Sequence, residues 1–539
     1  FEFWLYYQLA QQVKSNKLTL QYTTKYKPIQ DDLLSESTWQ KSKPKILKTL
    51  PYTHIKTTSK NLIAEIKKEN QQLFQIVNNS ITNGQNPNVI VTRADKGGSK
   101  WRLKPLEEEN PPNDSIFEKL PKRSIVDVMQ FVDKQIYFTE VFDSITPRGA
   151  KHARSPDYIL AGILANALRL GTDAMGSLSD LNIHSLLSVE KGCLRMETLT
   201  AALKVIHDHT IELPIFNAWN IDGVGHGSLD GMKIPSQLAH NKAQPSPKYF
   251  NMGVGLSSYS LILNHFPLAG KLIGANEYEG HFAFELSQFQ NAATHLLQLI
   301  STDKHGVNSI NFLLFYLVDK LFAPRIPKPH NETLWGFRLS GESNQCLLKP
   351  SKFFNEELGN LEWDRVQHVA ASILTGDANA SVIINKLASS RYTGKTKRAF
   401  IQLNNILKTN FILRYIHDLQ FQHTIERSLN RGENFNRLYR AIALLNKGQL
   451  RGRSEVEMMI WDACTRLLAA IIQYYNTLIL NNFYEKATDR QVREFLLRAS
   501  PTAWAHINLL GHYQFYGNQV QTIWRWIKGL RFQDCVNFG

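Results

Sequence analysis

The periodicity of the chain changes near Phe216, and that change narrows the folds open to it more than any other feature. From 116 to about 213 apolar residues recur at helical steps. Ile159, Leu160, Ile163, Leu164, Ala167 and Leu168 share one face of a segment opened by Ser155-Pro156. Proline suits a first helical position because the amide it lacks has no intrahelical partner there. Past Phe216 the stretch NAWNIDGVGHGSLDGMKIP carries four glycines, and β-type segments follow at Gly253 to Leu263 and near Leu268 to Ile273. Leu296 to Ile300 then runs into Thr302-Asp303, as a buried strand ending in a carboxylate would. From Trp363 to Leu429 the period is helical again. Helices set between β-type segments imply an α/β domain interrupted by a helical insertion, with mainly helical regions before and after it.

At 539 residues the chain exceeds what one core organises. Six stretches are expected. A basic N-terminal helical segment with a Pro/Gly/Asn-rich linker covers 1–115, and a helical domain covers 116–215. The first part of an α/β core spans 216–326, a mainly helical insertion 327–424, the second part of the core 425–485, and a helical tail 486–539. There are 62 Lys and Arg residues against 47 Asp and Glu, a net charge of +15, which favours a polyanionic partner. The longest apolar run, Leu467 to Leu480, is broken by Gln473 and Asn476 and is too short for a membrane span. Cys193, Cys346, Cys464 and Cys535 lie far apart without CxxC or zinc spacing, as in a reducing, cytoplasmic compartment. The opening at Phe1 has no methionine and no basic leader, so a signal peptide is not expected, and the chain reads as part of a longer one.

Three carboxylates stand out. Asp230 precedes the β-type segments, Asp303 ends one, and Glu433 lies in ERSLNRGENFNRLYRAIALLNKGQL, Glu426 to Leu450. There Phe435, Leu438, Ile442 and Leu445 form an apolar stripe, with Glu433, Arg437 and Arg440 on another face and Lys447-Gly448 as a stop signal. Each carboxylate also has a structural reading. Asn430 and Glu433 have the spacing of a capping box. Asp303 is placed to cap the next helix. Asp222, also followed by glycine, competes with Asp230 as the first carboxylate. Taken together, three carboxylates are the set that phosphodiester chemistry needs, because Mg²⁺ takes oxygen ligands and only one or two carboxylates per ion.

The spaced motifs carry a resemblance. They are Trp219 with Ser228-Leu229-Asp230-Gly231, Thr302-Asp303-Lys304-His305-Gly306, Ala323-Pro324-Arg325-Ile326, Ala370-Ala371-Ser372-Ile373, Asn430-Arg431-Gly432-Glu433, Leu438 to Ala441, Gly448 to Arg451, and Tyr474 to Leu480. In this order and at these gaps the chain resembles the transposases of the large replicative bacterial transposons, the Tn-three family. The resemblance implies a ribonuclease-H-like mixed sheet and a DDE active site, with Asp230, Asp303 and Glu433 as ligands of Mg²⁺, for which Mn²⁺ substitutes. It implies cleavage at transposon 3′ ends, joining of the 3′ hydroxyls to target DNA, and cointegrate formation. A homodimer acting on terminal inverted repeats and target DNA in the nucleoid is also implied. Family proteins are about twice this length, with their terminal-repeat-binding domains at the N-terminus. Lys304, His305, Arg325, Arg431, Arg437, Arg440, Arg451 and Arg453 are the candidates to contact DNA. One departure is local: the family usually has Ser-Ser-Asp-Gly-Gln where this chain has Ser228-Leu229-Asp230-Gly231-Met232. A remnant that binds DNA or a partner without cutting it is the alternative.

Overall fold

The computed structural model describes the chain except residues 15–17, 19, 21, 22, 24–26, 94–98, 108–114, 146–154, 237–241, 289–294, 339–345, 389–393, 446–453, 518, 519 and 537–539. It is a mixed α/β protein with two compact units, each assembled from separated stretches. One comprises Phe1–Glu107, Tyr278–Gln288 and Gln298–Arg427. The other comprises Glu108–Glu277, Phe289–Leu297 and Ser428–Gly539.

The second unit is built around one helix, Glu455–Lys486. Its 32 residues include no glycine or proline, Ser454 caps it by accepting from the Glu457 amide at 3.2 Å, and Glu455 and Glu457 favour its positive end. It is buried on nearly every side, so it is a core helix. Ile125–Ile136, Pro156–Ala167, Met196–Ile211 and Pro214–Ala218 pack around it.

A sheet closes the remaining side. Strand β1 (Gly225–Ser236) pairs antiparallel with β3 (Val254–Leu263), and β3 pairs antiparallel with β4 (Phe266–Gly274) and with the short β2 (Gln244–Pro245). The glycine-rich stretch that hides β1 in the sequence is therefore itself a strand. Its glycines admit close neighbours: a Cβ on Gly225 would meet the Leu296 carbonyl oxygen at 2.1 Å, and one on Gly227 a Leu297 methyl at 2.4 Å.

In the first unit Ser59–Thr82, Glu356–Leu374 and Lys395–His417 pack together, tied by Asn70 Nδ2 donating to Asn410 Oδ1 at 2.7 Å. Strand β5 (Leu297–Thr302) runs parallel to β6 (Leu321–Phe322), with the Asn311–Leu317 helix between them in sequence. The expected Pro/Gly/Asn-rich linker of the 1–115 stretch contains a hairpin, Val89–Arg93 against Ser99–Leu103. No helix among the described residues is long and apolar enough to cross a membrane.

Candidate active site

Asp222 and Asp230 are told apart by their backbones. Asp222 and Gly223 both have positive φ, 54° and 76°, inside a turn closed by the Ile221–Val224 bridge. That is the chemistry of a tight hairpin turn, where an Asp-Gly pair is favoured, and the Asp222 side chain is exposed. Asp230 instead sits in the middle of β1, half-buried, directly opposite Ser260 of β3. Strand alternation puts Ser228, Asp230 and Met232 on one face and Leu229 on the other. Of the two departures from the family pattern, Met232 therefore shares a face with Asp230 and Leu229 does not.

The helix that carries Glu433 runs from Leu419 to Ala443, and this overturns the capping-box reading. Asn430 is eleven residues inside the helix, so it has no helix end to cap. The start belongs to Asp418, whose carboxylate accepts from the Phe421 amide at 3.1 Å. Glu433 is accordingly mid-helix and not in a first turn. The helix ends at Ala443, and the expected stop at Lys447-Gly448 lies outside the described residues.

From Ser428 onward this helix lies along β1 in register. Ser428 Oγ donates to the His226 carbonyl at 3.5 Å. A Cβ on Gly432 would stand 2.5 Å from Ser228 Oγ, and Asn436 Nδ2 donates to Asp230 Oδ2 at 2.8 Å. Four helical residues advance about 6 Å and two strand residues about 6.6 Å, so the pairs 428/226, 432/228 and 436/230 stay matched along their length. Gly432 is thus the close-approach point between helix and strand. Asp230 is held at both oxygens, since Oδ1 also accepts from the Gly231 amide at 2.8 Å. Glu433 is one turn before Asn436 and exposed, a neighbour at i,i+3 of the residue that holds Asp230.

Asp303 belongs to the first unit. It ends β5, partly exposed, and caps the short Lys304–Gly306 turn by accepting from the His305 amide at 2.9 Å. The Ala323-Pro324-Arg325 segment prolongs the parallel pairing: the Ala323 amide donates to the Ile300 carbonyl at 2.8 Å and the Arg325 amide to the Thr302 carbonyl at 2.9 Å. That places Arg325 next to Asp303, with its guanidinium donating to Glu426 Oε1 at 3.0 Å. Burial, with the charges of Asp303 and Glu279 adding to it, pushes the Tyr278 phenol up.

The basic candidates divide. Lys304, His305, Arg437 and Arg440 are exposed. Arg431 is tied inward, donating to Asn264 Oδ1 at 3.0 Å and to the Trp219 carbonyl at 2.8 Å. Burial, reinforced by the Arg431 charge, lowers His226 to about 3 and His265 well below its usual value. Arg451 and Arg453 lie outside the described residues.

Asn436 was not singled out by sequence reasoning, nor was the polar cluster behind it. Its signal was an asparagine three residues after Glu433. The cluster's signal was Asp462 and Arg466, an i,i+4 pair of opposite charges in an otherwise apolar helix. Among the described residues no three His, Cys, Asp or Glu side chains are grouped closely enough to hold a metal ion by themselves.

Residues 127–513 match the model of the Tn3 transposase DDE domain. The chain belongs to that family. It is 26% identical over 422 residues to the transposase for transposon gamma-delta of Escherichia coli (strain K12), an alignment covering 76% of this chain and 42% of that protein. It is 26% identical over 534 residues to the transposase for transposon Tn1546 of Enterococcus faecium, covering 96% of this chain and 52% of the relative. The transposase for transposon Tn501 of Pseudomonas aeruginosa is 25% identical over 443 residues, 79% of this chain and 43% of its own length. The chain spans about half the length of the curated relatives it matches. Within the family-matched region lie Asp230, Asp303, Glu433 and Asn436.

Proposed function

We propose that this chain is the catalytic portion of a DNA transposase that cuts at transposon 3′ ends and joins the freed 3′ hydroxyls to target DNA, with Asp230, Asp303 and Glu433 as its metal-binding carboxylates. The observation that carries the reading is the helix-on-strand register. It holds Asp230 through Asn436 and brings Glu433 within one turn of that contact, on a family-matched scaffold. We take the sheet to be the ribonuclease-H-like core that the family resemblance implies, with the helices of 327–424 as its insertion.

The donor set suits a hard divalent cation, because the three side chains offer only carboxylate oxygens and each is at least partly exposed. Mg²⁺ does not need a closed protein cage; it takes one or two carboxylates and completes its shell with water and phosphate oxygens. Bound there, Mg²⁺ would lower the pKa of an attacking water or hydroxyl and neutralise charge on the leaving oxygen. The chain's own residues do the positioning. Asn436 and the Gly231 amide each donate to one oxygen of Asp230, which fixes its orientation. Exposed Lys304, Arg437 and Arg440 are the candidates for phosphate contact.

In the first step water attacks the phosphodiester at the transposon end, the O3′–P bond breaks, and a 3′ hydroxyl and a 5′ phosphate result. In the second that hydroxyl attacks a target phosphodiester, loses its proton and displaces a target 3′ oxygen, so one phosphodiester is lost as one forms. A dimer on paired terminal inverted repeats is part of the proposal.

The test uses protein expressed from its complete reading frame, Mg²⁺ and a labelled duplex carrying the inverted repeat that flanks the gene. Wild type is expected to nick at the 3′ end, and Asp303→Asn to lose at least a hundredfold in rate. Equal nicking by the two proteins would sink the assignment; absence of nicking by wild type, with DNA binding retained, would favour an inactive remnant.

A further inference from the structure

Behind the Asp230–Asn436 contact lies a buried charged cluster that the proposed chemistry does not use. Arg466 and Asp462, one turn apart on the central helix, form an ion pair at 2.8 Å with side chains 4% and 7% exposed. The Arg466 guanidinium also donates to Ser260 Oγ and, at 3.1 Å, to Ser258 Oγ. Asp462 Oδ1 accepts from Ser258 Oγ at 2.5 Å and from the Tyr439 hydroxyl at 2.6 Å. Gly270 of β4 makes room for the guanidinium, since a Cβ there would fall 1.8 Å from Arg466 Cζ.

These contacts close a circuit. Tyr439 is one turn beyond Asn436 on the same helix, and Asn436 holds Asp230. Asp230 is paired across β1 and β3 with Ser260, which Arg466 holds. A cross-strand pair shares one face of its sheet, so Asp230 and the two serines face the same side. A buried ion pair is a poor source of net stability, because desolving two charges cancels most of their attraction. What it supplies is a fixed geometry, when every lone pair and proton has a partner.

Resting on the reading of Asp230 and Glu433 as metal ligands, we propose that Tyr439, Asp462 and Arg466 are positioning residues that set the Glu433–Asn436 turn against Asp230. The cluster anchors the helix at Tyr439, three residues past Asn436, and anchors the strand opposite Asp230. The distance between the two ligand-bearing elements is then fixed from behind by groups that touch neither metal nor DNA.

Tyr439→Phe is the mildest probe, because it removes one hydroxyl and keeps the buried ion pair and the ring. Two measurements separate the proposal from the reading beneath it. Amide hydrogen exchange over Ser428–Ala443 is expected to speed up in Tyr439→Phe, with the melting temperature within a few degrees of wild type. Calorimetric Mn²⁺ affinity is expected to fall about tenfold, the usual lower bound for loss of an outer support. Asn436→Ala should lower that affinity similarly, and the double variant by little more than either single one. Unchanged exchange in Tyr439→Phe would overturn the positioning role, whatever the metal does. Faster exchange in Tyr439→Phe, together with a wild-type chain that binds no Mn²⁺, would uphold the mechanical link and overturn its role toward a metal.

Discussion

Gly432 is the residue on which the helix-to-strand contact turns. With only 2.5 Å between its would-be Cβ and Ser228 Oγ, even a methyl must push helix and strand apart or displace the serine. Gly432→Ala is expected to cost about 1–3 kcal/mol, the usual range for overpacking a tight contact. Urea unfolding measures it, and adding Ser228→Gly should restore most of the loss. An alanine variant as stable as wild type would mean that the helix does not lie on β1. At this scale the sequence showed the residue types and not their roles. Asp222 matches Asp230 as an Asp-Gly pair, and its positive φ marks it as a turn residue. Asn436 carried no motif at all, because its role depends on a strand some two hundred residues earlier in the chain.

The Leu419–Ala443 helix shows where local rules fail at the scale of the element. Asn430, three residues before Glu433, has ideal capping-box spacing, yet the chain is helical on both sides of it. The true cap is Asp418, whose signal sat in the unremarkable HDLQ. Asp418→Ala is expected to lower stability by about 1 kcal/mol, and Asn430→Ala to stay within about 0.5 kcal/mol of wild type. Thermal unfolding of the two variants decides between the caps, and the reverse order would restore the capping box. Strand β1 was missed for a related reason. Glycines depress strand propensity, and only the close approach of Leu296 and Leu297 explains why they are there. Elements with clean periodicity were legible, including the helix with Pro156 at its first position and the β3–β4 hairpin.

For the whole molecule, buried histidines make a prediction about pH. Burial lowers His207 to about 4, His226 to about 3 and His506 to about 4, and moves His265 in the same direction. These rings stay neutral in the folded chain, while the unfolded chain takes up protons below about pH 6.5. Their contribution is therefore complete above pH 6.5 and is lost as pH falls toward 4, by roughly 1–2 kcal/mol per histidine at pH 5. Urea midpoints should hold steady from pH 8 to 7 and drop between pH 6.5 and 5; a flat profile across that window would contradict the burial. The net charge of +15 bears on partners rather than on folding. Binding to a DNA duplex should weaken steeply with salt, the logarithmic slope counting the phosphates neutralised.

Asp230, Asp303 and Glu433, which come from separated stretches of the chain, are proposed to act as one metal-binding set. Calorimetric titration of Mn²⁺ into wild type and into Asp230→Asn, Asp303→Asn and Glu433→Gln, each checked for an unchanged melting transition, tests it most directly. Every one of the three substitutions is expected to lower the affinity by tenfold or more. Affinity left intact by Asp303→Asn, while the other two abolish it, would contradict a shared site.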